Sequence, residues 1–193
     1  MTKSVSQNIN LTDILTQLIE IIILHTNIFN HIDMNRILIS IAFNRKNSRG
    51  FTLAKLVPLR FKDGSNILKY NNKRYTMPRI VNNGISLLYI IYFYSPKFFD
   101  LPPIEKLRVI FHELYHISPE FNGDIRRLGR VKAAHGASKK KYNIQFEKEL
   151  QQFYSTISET QIKYFLDLDT NLLRKNYQNI YCRRMKLPKP IAL

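Results

Sequence analysis

Residues 107–117 read Leu107-Arg108-Val109-Ile110-Phe111-His112-Glu113-Leu114-Tyr115-His116-Ile117, and the His-Glu-x-x-His within them constrains the fold more than any other stretch. Two imidazoles four residues apart share one face only on a helix. Ile104, Leu107, Ile110, Phe111 and Leu114 recur at helical spacing and predict the buried side of that helix. Asp100, just ahead of Pro102 and Pro103, marks its start, and Ser118-Pro119 marks its end. On such a helix His112 and His116 can give nitrogens to one metal ion. Glu113, about 100° round from His112, still reaches a water on that ion. Zinc with one open position lowers the pKa of such a water to about 7. A neighbouring carboxylate can then take the proton, and hydroxide attacks a peptide carbonyl.

Five residues recur by chance across a genome, so context carries the weight, and the plainer reading is a helix with two unrelated histidines. A third protein ligand is also needed. His135 is the first candidate, with eighteen residues between it and His116, and Ala133, Ala134 and Gly136 around it would allow close approach. Asp124, Glu120 and Glu147 are rivals. Asp124 also suits a carboxylate that orients a ligand imidazole. Tyr142 and Arg126 are candidates for stabilising a developing oxyanion. The plainer roles are a surface histidine in a basic loop for His135, a turn residue after Gly123 for Asp124, and a core or surface tyrosine, one of eleven, for Tyr142.

These residues carry a resemblance. His112-Glu113-Leu114-Tyr115-His116-Ile117, Pro119-Glu120-Phe121-Asn122-Gly123-Asp124-Ile125-Arg126-Arg127, Ala134-His135-Gly136-Ala137-Ser138 and Tyr142 together resemble the phage-type metallopeptidases, compact zincins related in outline to the SprT-like proteases. Ala54…Pro58-Leu59-Arg60-Phe61 and Arg183-Arg184…Pro188-Lys189-Pro190 are similar too, so the likeness runs from about residue 37 to residue 190. It implies zinc held by His112, His116 and His135, Glu113 as general base, and a small sheet packed on two long helices. The chain lacks the cysteine pairs of the zinc ribbon that some SprT-like proteins carry. It also departs from the gluzincin pattern, in which a glutamate on a later helix is third ligand; Glu147 and Glu149 keep that option open.

Around the motif, the pattern predicts an α+β, zincin-like domain: a small, mainly antiparallel sheet of three to four strands on an N-terminal helix and the metal-binding helix, with C-terminal helices. One domain spans residues 1–193, with 1–9 and 186–193 as loose tails. Leu11, Ile14, Leu15, Leu18, Ile19 and Ile22 predict a helix running to about Asn27, capped by Asn10. His25 and His31 near its end read as surface or packing histidines. Alternation predicts a strand over 37–43, hairpin-paired with a second over 51–61 in which Pro58 marks an edge or an end. A short strand over 74–80, turns at 62–64 and 82–84, and a central strand over 85–94 follow. Residues 120–124 form a turn-rich loop, 126–134 are helical or irregular, 142–157 are helical, and 158–181 form a last helix capped by Ser158.

The single cysteine, Cys182, excludes an intrachain disulfide and suits a reducing interior, as a small residue near a helix end. No signal peptide is visible and no apolar run reaches the roughly 18 residues of a membrane helix. A cytoplasmic protein without membrane contact is therefore expected. The formal net charge is +16, which favours acidic partners, nucleic acid first. Abundant Ile, Asn, Lys and Tyr point to AT-rich coding, which inflates lysine. The charge is nonetheless uneven: residues 125–142 carry seven basic side chains and 170–193 six, with no acid in either. Lys139, Lys140 and Lys141 are the candidate nucleic-acid contacts; the plainer reading is a solvated surface. Two functions follow. The first is a zinc-dependent peptidase acting on a protein or peptide, near nucleic acid if the basic patch binds it. The second is a nucleic-acid-binding protein with a structural or vestigial metal site. Glu113 favours the first, because a structural zinc needs no general base. A purely structural phage or mobile-element component has nothing specific in its favour.

Overall fold

The computed structural model describes residues 6–43, 52–128, 139–157 and 161–193. The chain begins with a short strand, β1 (Ser6–Asn10), and runs directly into α1 (Leu11–His25). Asn10 serves both: its Oδ1 accepts from Thr12 N at 3.1 Å and from Thr12 Oγ1 at 2.7 Å, capping the helix. Leu15, Leu18, Ile19 and Ile22 form the buried stripe of α1.

Strands β2 (Ile37–Phe43) and β3 (Ala54–Pro58) follow. Two small hairpins come next: β4 (Ile67–Tyr70) with β5 (Lys73–Thr76), and β6 (Val81–Asn82) with β7 (Ile85–Ser86). Strand β8 (Tyr89–Ser95) then lies between β2 and β3. The expected hairpin between β2 and β3 does not form, because β8 separates them. It pairs parallel with β2, from Ile37↔Tyr89 to Phe43↔Ser95, and antiparallel with β3, from Ala54↔Phe93 to Pro58↔Tyr89. The central sheet is therefore mixed rather than mainly antiparallel. Residues 89–93 are buried on both faces, and such a run belongs in the middle of a sheet. Tyr89, Ile91 and Phe93 join the main core with α1, while Ile90 and Tyr92 join a second cluster with Leu38, Val57 and Leu59.

The motif helix is α2 (Pro103–Tyr115), against which α3 (Lys139–Thr156) packs. Phe111 on α2 meets Phe29 edge-on at 5.3 Å between ring centroids, and Phe146 and Phe153 of α3 at 6.1 Å each.

The last helix expected over 158–181 is divided into α4 (Gln161–Asp167), α5 (Thr170–Asn176) and a strand, β9 (Tyr177–Tyr181). Ser158 lies outside the described residues. The break at 168–169 has two causes. Lys106 Nζ donates to Leu166 O at 2.6 Å and Leu168 O at 2.7 Å, closing α4, and the Asp169 carboxylate accepts from Leu172 N at 2.7 Å, starting α5. Both ends expected to be loose carry strands. β1 pairs parallel with β9, and β10 (Ile191–Ala192) pairs antiparallel with β5. Between them, Arg183 O accepts from Ile41 N at 2.9 Å and Met185 N donates to Ser40 Oγ at 3.0 Å, so this segment runs beside β2. Cys182 follows β9, rather than a helix end, and is partly buried against the core. Among the described residues no helix is long and apolar enough to cross a membrane.

Candidate metal centre

Pro103 opens α2, where its missing N–H costs nothing, and Glu105 in the first turn suits the helix dipole. Leu107, Ile110, Phe111 and Leu114 anchor the helix in the core, which leaves His112, Glu113 and His116, each 7% exposed, beneath a cleft of about 570 Å³ between α2 and β3. Beyond His116 the chain turns back. Ile117 bridges Ile125, and Arg126 N donates to His116 O at 2.7 Å. Gly123 makes this return possible: its φ is +89°, and a Cβ there would lie 2.5 Å from Arg60 Cγ.

His112 Nε2 and His116 Nε2 lie 3.1 Å apart. A tetrahedral ion with zinc–nitrogen bonds of about 2.0–2.1 Å holds two nitrogens about 3.3 Å apart, so the pair fits a shared ion. The other ring nitrogens are engaged by consecutive residues of α3. His112 Nδ1 is 2.8 Å from Asn143 Oδ1, and His116 Nδ1 is 2.9 Å from Tyr142 Oη. Asn143 Oδ1 can only accept, so His112 Nδ1 carries the proton and its Nε2 lone pair is left for a metal. Leu56 N–H of β3 donates to Glu113 Oε2 at 2.6 Å, fixing the carboxylate between motif helix and strand. Burial raises the Tyr142 phenol above its usual range, the Glu113 charge pushes it the same way, and the Arg126 guanidinium opposes both.

The remaining expected site residues sit as follows. His135 lies outside the described residues, as do the side chains of Lys139, Lys140 and Lys141 at the start of α3. Among the described residues no group of three His, Cys, Asp or Glu could hold a metal. Asp124 is buried, and its carboxylate accepts from Ile125 N at 2.7 Å, Asp63 N at 3.0 Å, and Arg127 Nε and a terminal nitrogen at 2.9 and 2.8 Å. It thus ties the loop after the motif to residues 60–64. Arg126 Nε donates to Tyr115 O at 2.9 Å and its guanidinium stacks over the Tyr115 ring at 4.1 Å, at the end of α2. Glu147 is in a two-point pair with Arg108, at 3.2 and 2.9 Å, which holds its carboxyl below the usual range. Glu120 is exposed and accepts from Asn122 Nδ2 at 2.8 Å. His25 hydrogen-bonds Ile21 O at 2.9 Å, and His31 is pulled below its usual pKa, first by burial and then by Arg126.

Asn143 and the Leu56 N–H are the participants the sequence did not single out. The signal for Asn143 is slight, a polar residue beside Tyr142 near a helix start. A backbone N–H leaves no signal at all.

A family model described as "Putative phage metallopeptidase" matches residues 8–157, a span that takes in α1, the central sheet, the motif helix and α3. No curated protein and no solved structure matches the chain.

Proposed function

Because the chain belongs to the phage metallopeptidase family, whose name implies a metal, we propose that it is a zinc-dependent peptidase. Glu113 is the general base, and His112, His116 and His135 are the ligands. The observation that carries this reading is the meeting of two imidazole Nε2 atoms, 3.1 Å apart, beside a buried carboxylate at the wall of a cleft. An all-nitrogen, neutral donor set suits zinc. When bound, zinc supplies the Lewis acidity that brings the pKa of a coordinated water to about 7 and polarises a carbonyl.

The protein's own groups do the rest. Asn143 and Tyr142 hold the two rings in register. Glu113, fixed by one oxygen to β3, takes the proton from the attacking water and returns it to the leaving amine. β3 is an edge strand among the described residues and lines the cleft; Glu113 takes its Leu56 N–H and Pro58 has none, so its outward carbonyls and the Ala54 N–H are what it offers an extended peptide. Pro58, Val109 and Ile125 give the cleft apolar wall, and Lys55 gives it charge, Arg108 being paired with Glu105 and Glu147.

Metal analysis of the purified protein tests the reading. About one zinc per chain is expected, nearly all of it lost in His112→Ala or His116→Ala. Stoichiometric zinc retained after His112→Ala rejects the site. Full zinc in His135→Ala alone removes His135 from the ligand set; Glu147 and Asp124, the acids the sequence offered, are engaged by Arg108 and Arg127 and, among the described residues, form no metal-holding group with the two histidines. Glu113→Gln should keep its zinc and lose peptide hydrolysis by roughly 10²–10⁴-fold; equal turnover of any cleaved peptide rejects the mechanism.

A further inference from the structure

We propose that the hairpin of β4 and β5 is a nucleic-acid docking element whose basic tip lies against the phosphates of a duplex groove. The proposal stands apart from the peptidase reading and uses none of its residues.

The hairpin turns through Asn71 and Asn72, both at positive φ, 49° and 58°. Two successive positive φ values are the type I′ geometry, which suits the twist of paired strands. β10 pairs with Tyr75 and Thr76, and Leu193 N donates to Arg74 O at 2.9 Å, so the outermost part, residues 69–73, is a two-stranded ribbon. Every residue from 65 to 74 is exposed. Strands about 4.8 Å apart make a ribbon narrow enough for a major groove about 12 Å wide.

The charge on this ribbon has no internal explanation. Register sets Lys69 opposite Arg74 and Tyr70 opposite Lys73. Like charges directly opposed weaken a strand pair. Among the described residues no ion pair neutralises Lys69, Lys73 or Arg74. Nor does nearby sequence supply one: residues 64–99 contain five basic side chains and no acid, and β10 comes from the acid-free stretch 170–193. Three uncompensated cations at an exposed tip match a phosphate backbone, and Tyr70, 61% exposed between them, brings a ring that can pack on a sugar or base. The ribbon is too narrow to offer the broad packed centre of a protein–protein interface.

Its base is tied down by hydrogen bonds. Phe61 N donates to Ser65 O at 2.9 Å, and Asp63 N donates to the Asp124 carboxylate, which also holds Arg127. The base of the ribbon is therefore joined to the loop that follows the motif helix.

The test is fluorescence anisotropy of a short labelled DNA duplex over a salt series. It compares the full chain with the joint variant Lys69→Ala, Lys73→Ala, Arg74→Ala, and with Lys139, Lys140 and Lys141 all changed to Ala. Wild type should bind at low salt, with log affinity falling linearly against log salt. The tip variant should lose at least about tenfold in affinity, its slope becoming shallower by about 2–3 as three phosphate contacts disappear, with an unchanged melting temperature. If that variant folds poorly, Lys73→Glu alone should weaken binding more than Lys73→Ala. No binding at low salt, equal affinity in the tip variant, or loss confined to the Lys139–Lys141 variant overturns the proposal. Equal competition by poly-glutamate of matching charge also overturns it, in favour of an acidic polypeptide.

Discussion

Asn143 accepts from His112 and cannot donate through the same oxygen, so the tautomer of His112 is set by a neutral side chain on another helix. A ligand imidazole without that partner can rotate or hold its proton on the metal-facing nitrogen, and such losses cost about 10–100-fold in metal affinity. Asn143→Leu, which keeps the branched shape and removes the acceptor, should therefore weaken zinc binding by about that factor in a chelator competition. Asn143→Asp should keep most of it, since the acceptor survives. Unchanged zinc affinity in Asn143→Leu would show that helix packing alone sets the ring. What was legible at this scale was what a helix places within one turn: His112, Glu113 and His116. Asn143 and the Leu56 N–H reach the site through the packing of α3 on α2 and of β3 beside α2, contacts that no spacing within one segment encodes. Asp124 carried a signal, a carboxylate in a Gly-Asp turn, and spends it on Arg127 and Asp63 N.

At the scale of elements, the buried Lys106 does what a capping residue normally does, from a different helix. Its ammonium satisfies two carbonyls at the end of α4, and burial lowers its pKa from 10.5 to about 8, against the opposing pull of Asp167, Asp169 and Asp100. Between pH 8 and 10.5 the unfolded chain keeps this proton and the folded chain releases it. Unfolded protein then binds more protons, so stability rises with pH across that window, by up to about 1.4 kcal/mol per unit. Tyr89 and Tyr92, raised to about 12 by burial, act oppositely above pH 10, where the unfolded chain loses its phenolic protons first. Urea unfolding at pH 8, 9 and 10 should show the rise in wild type and its absence in Lys106→Met. Gly123→Ala puts a Cβ 2.5 Å from Arg60 Cγ at a positive φ, and should cost at least about 2 kcal/mol in the same assay. Element types with strong local periods, α1, β2, α2 and α3, were legible. The partition of 158–181 was not, because a lysine sixty residues upstream decides where α4 stops.

At the scale of the molecule, the matched family region ends at residue 157, yet much of what closes the fold lies beyond it. Phe165, Leu166, Leu168 and Leu173 are part of the main core, β9 is the partner of β1, and the backbone of Arg183 pairs with the outer side of β2. The α+β class could be read from alternating patterns. The strand order could not, because β8 is placed between two earlier strands by its burial on both faces. The same interdependence makes a fragment of residues 1–157 a poor candidate for independent folding. Removing residues 158–168 takes both acceptors from Lys106. Removing β9 and residues 182–186 leaves β1 without its partner and exposes the outer edge of β2, a template for association. We expect residues 1–157 to show no cooperative thermal transition by circular dichroism and to scatter light on warming. A chain cut after Tyr181 keeps α4, α5 and β9, so it should melt cooperatively but associate through β2. A 1–157 fragment melting cooperatively within a few degrees of the full chain would mean that the C-terminal segment covers a fold already complete without it.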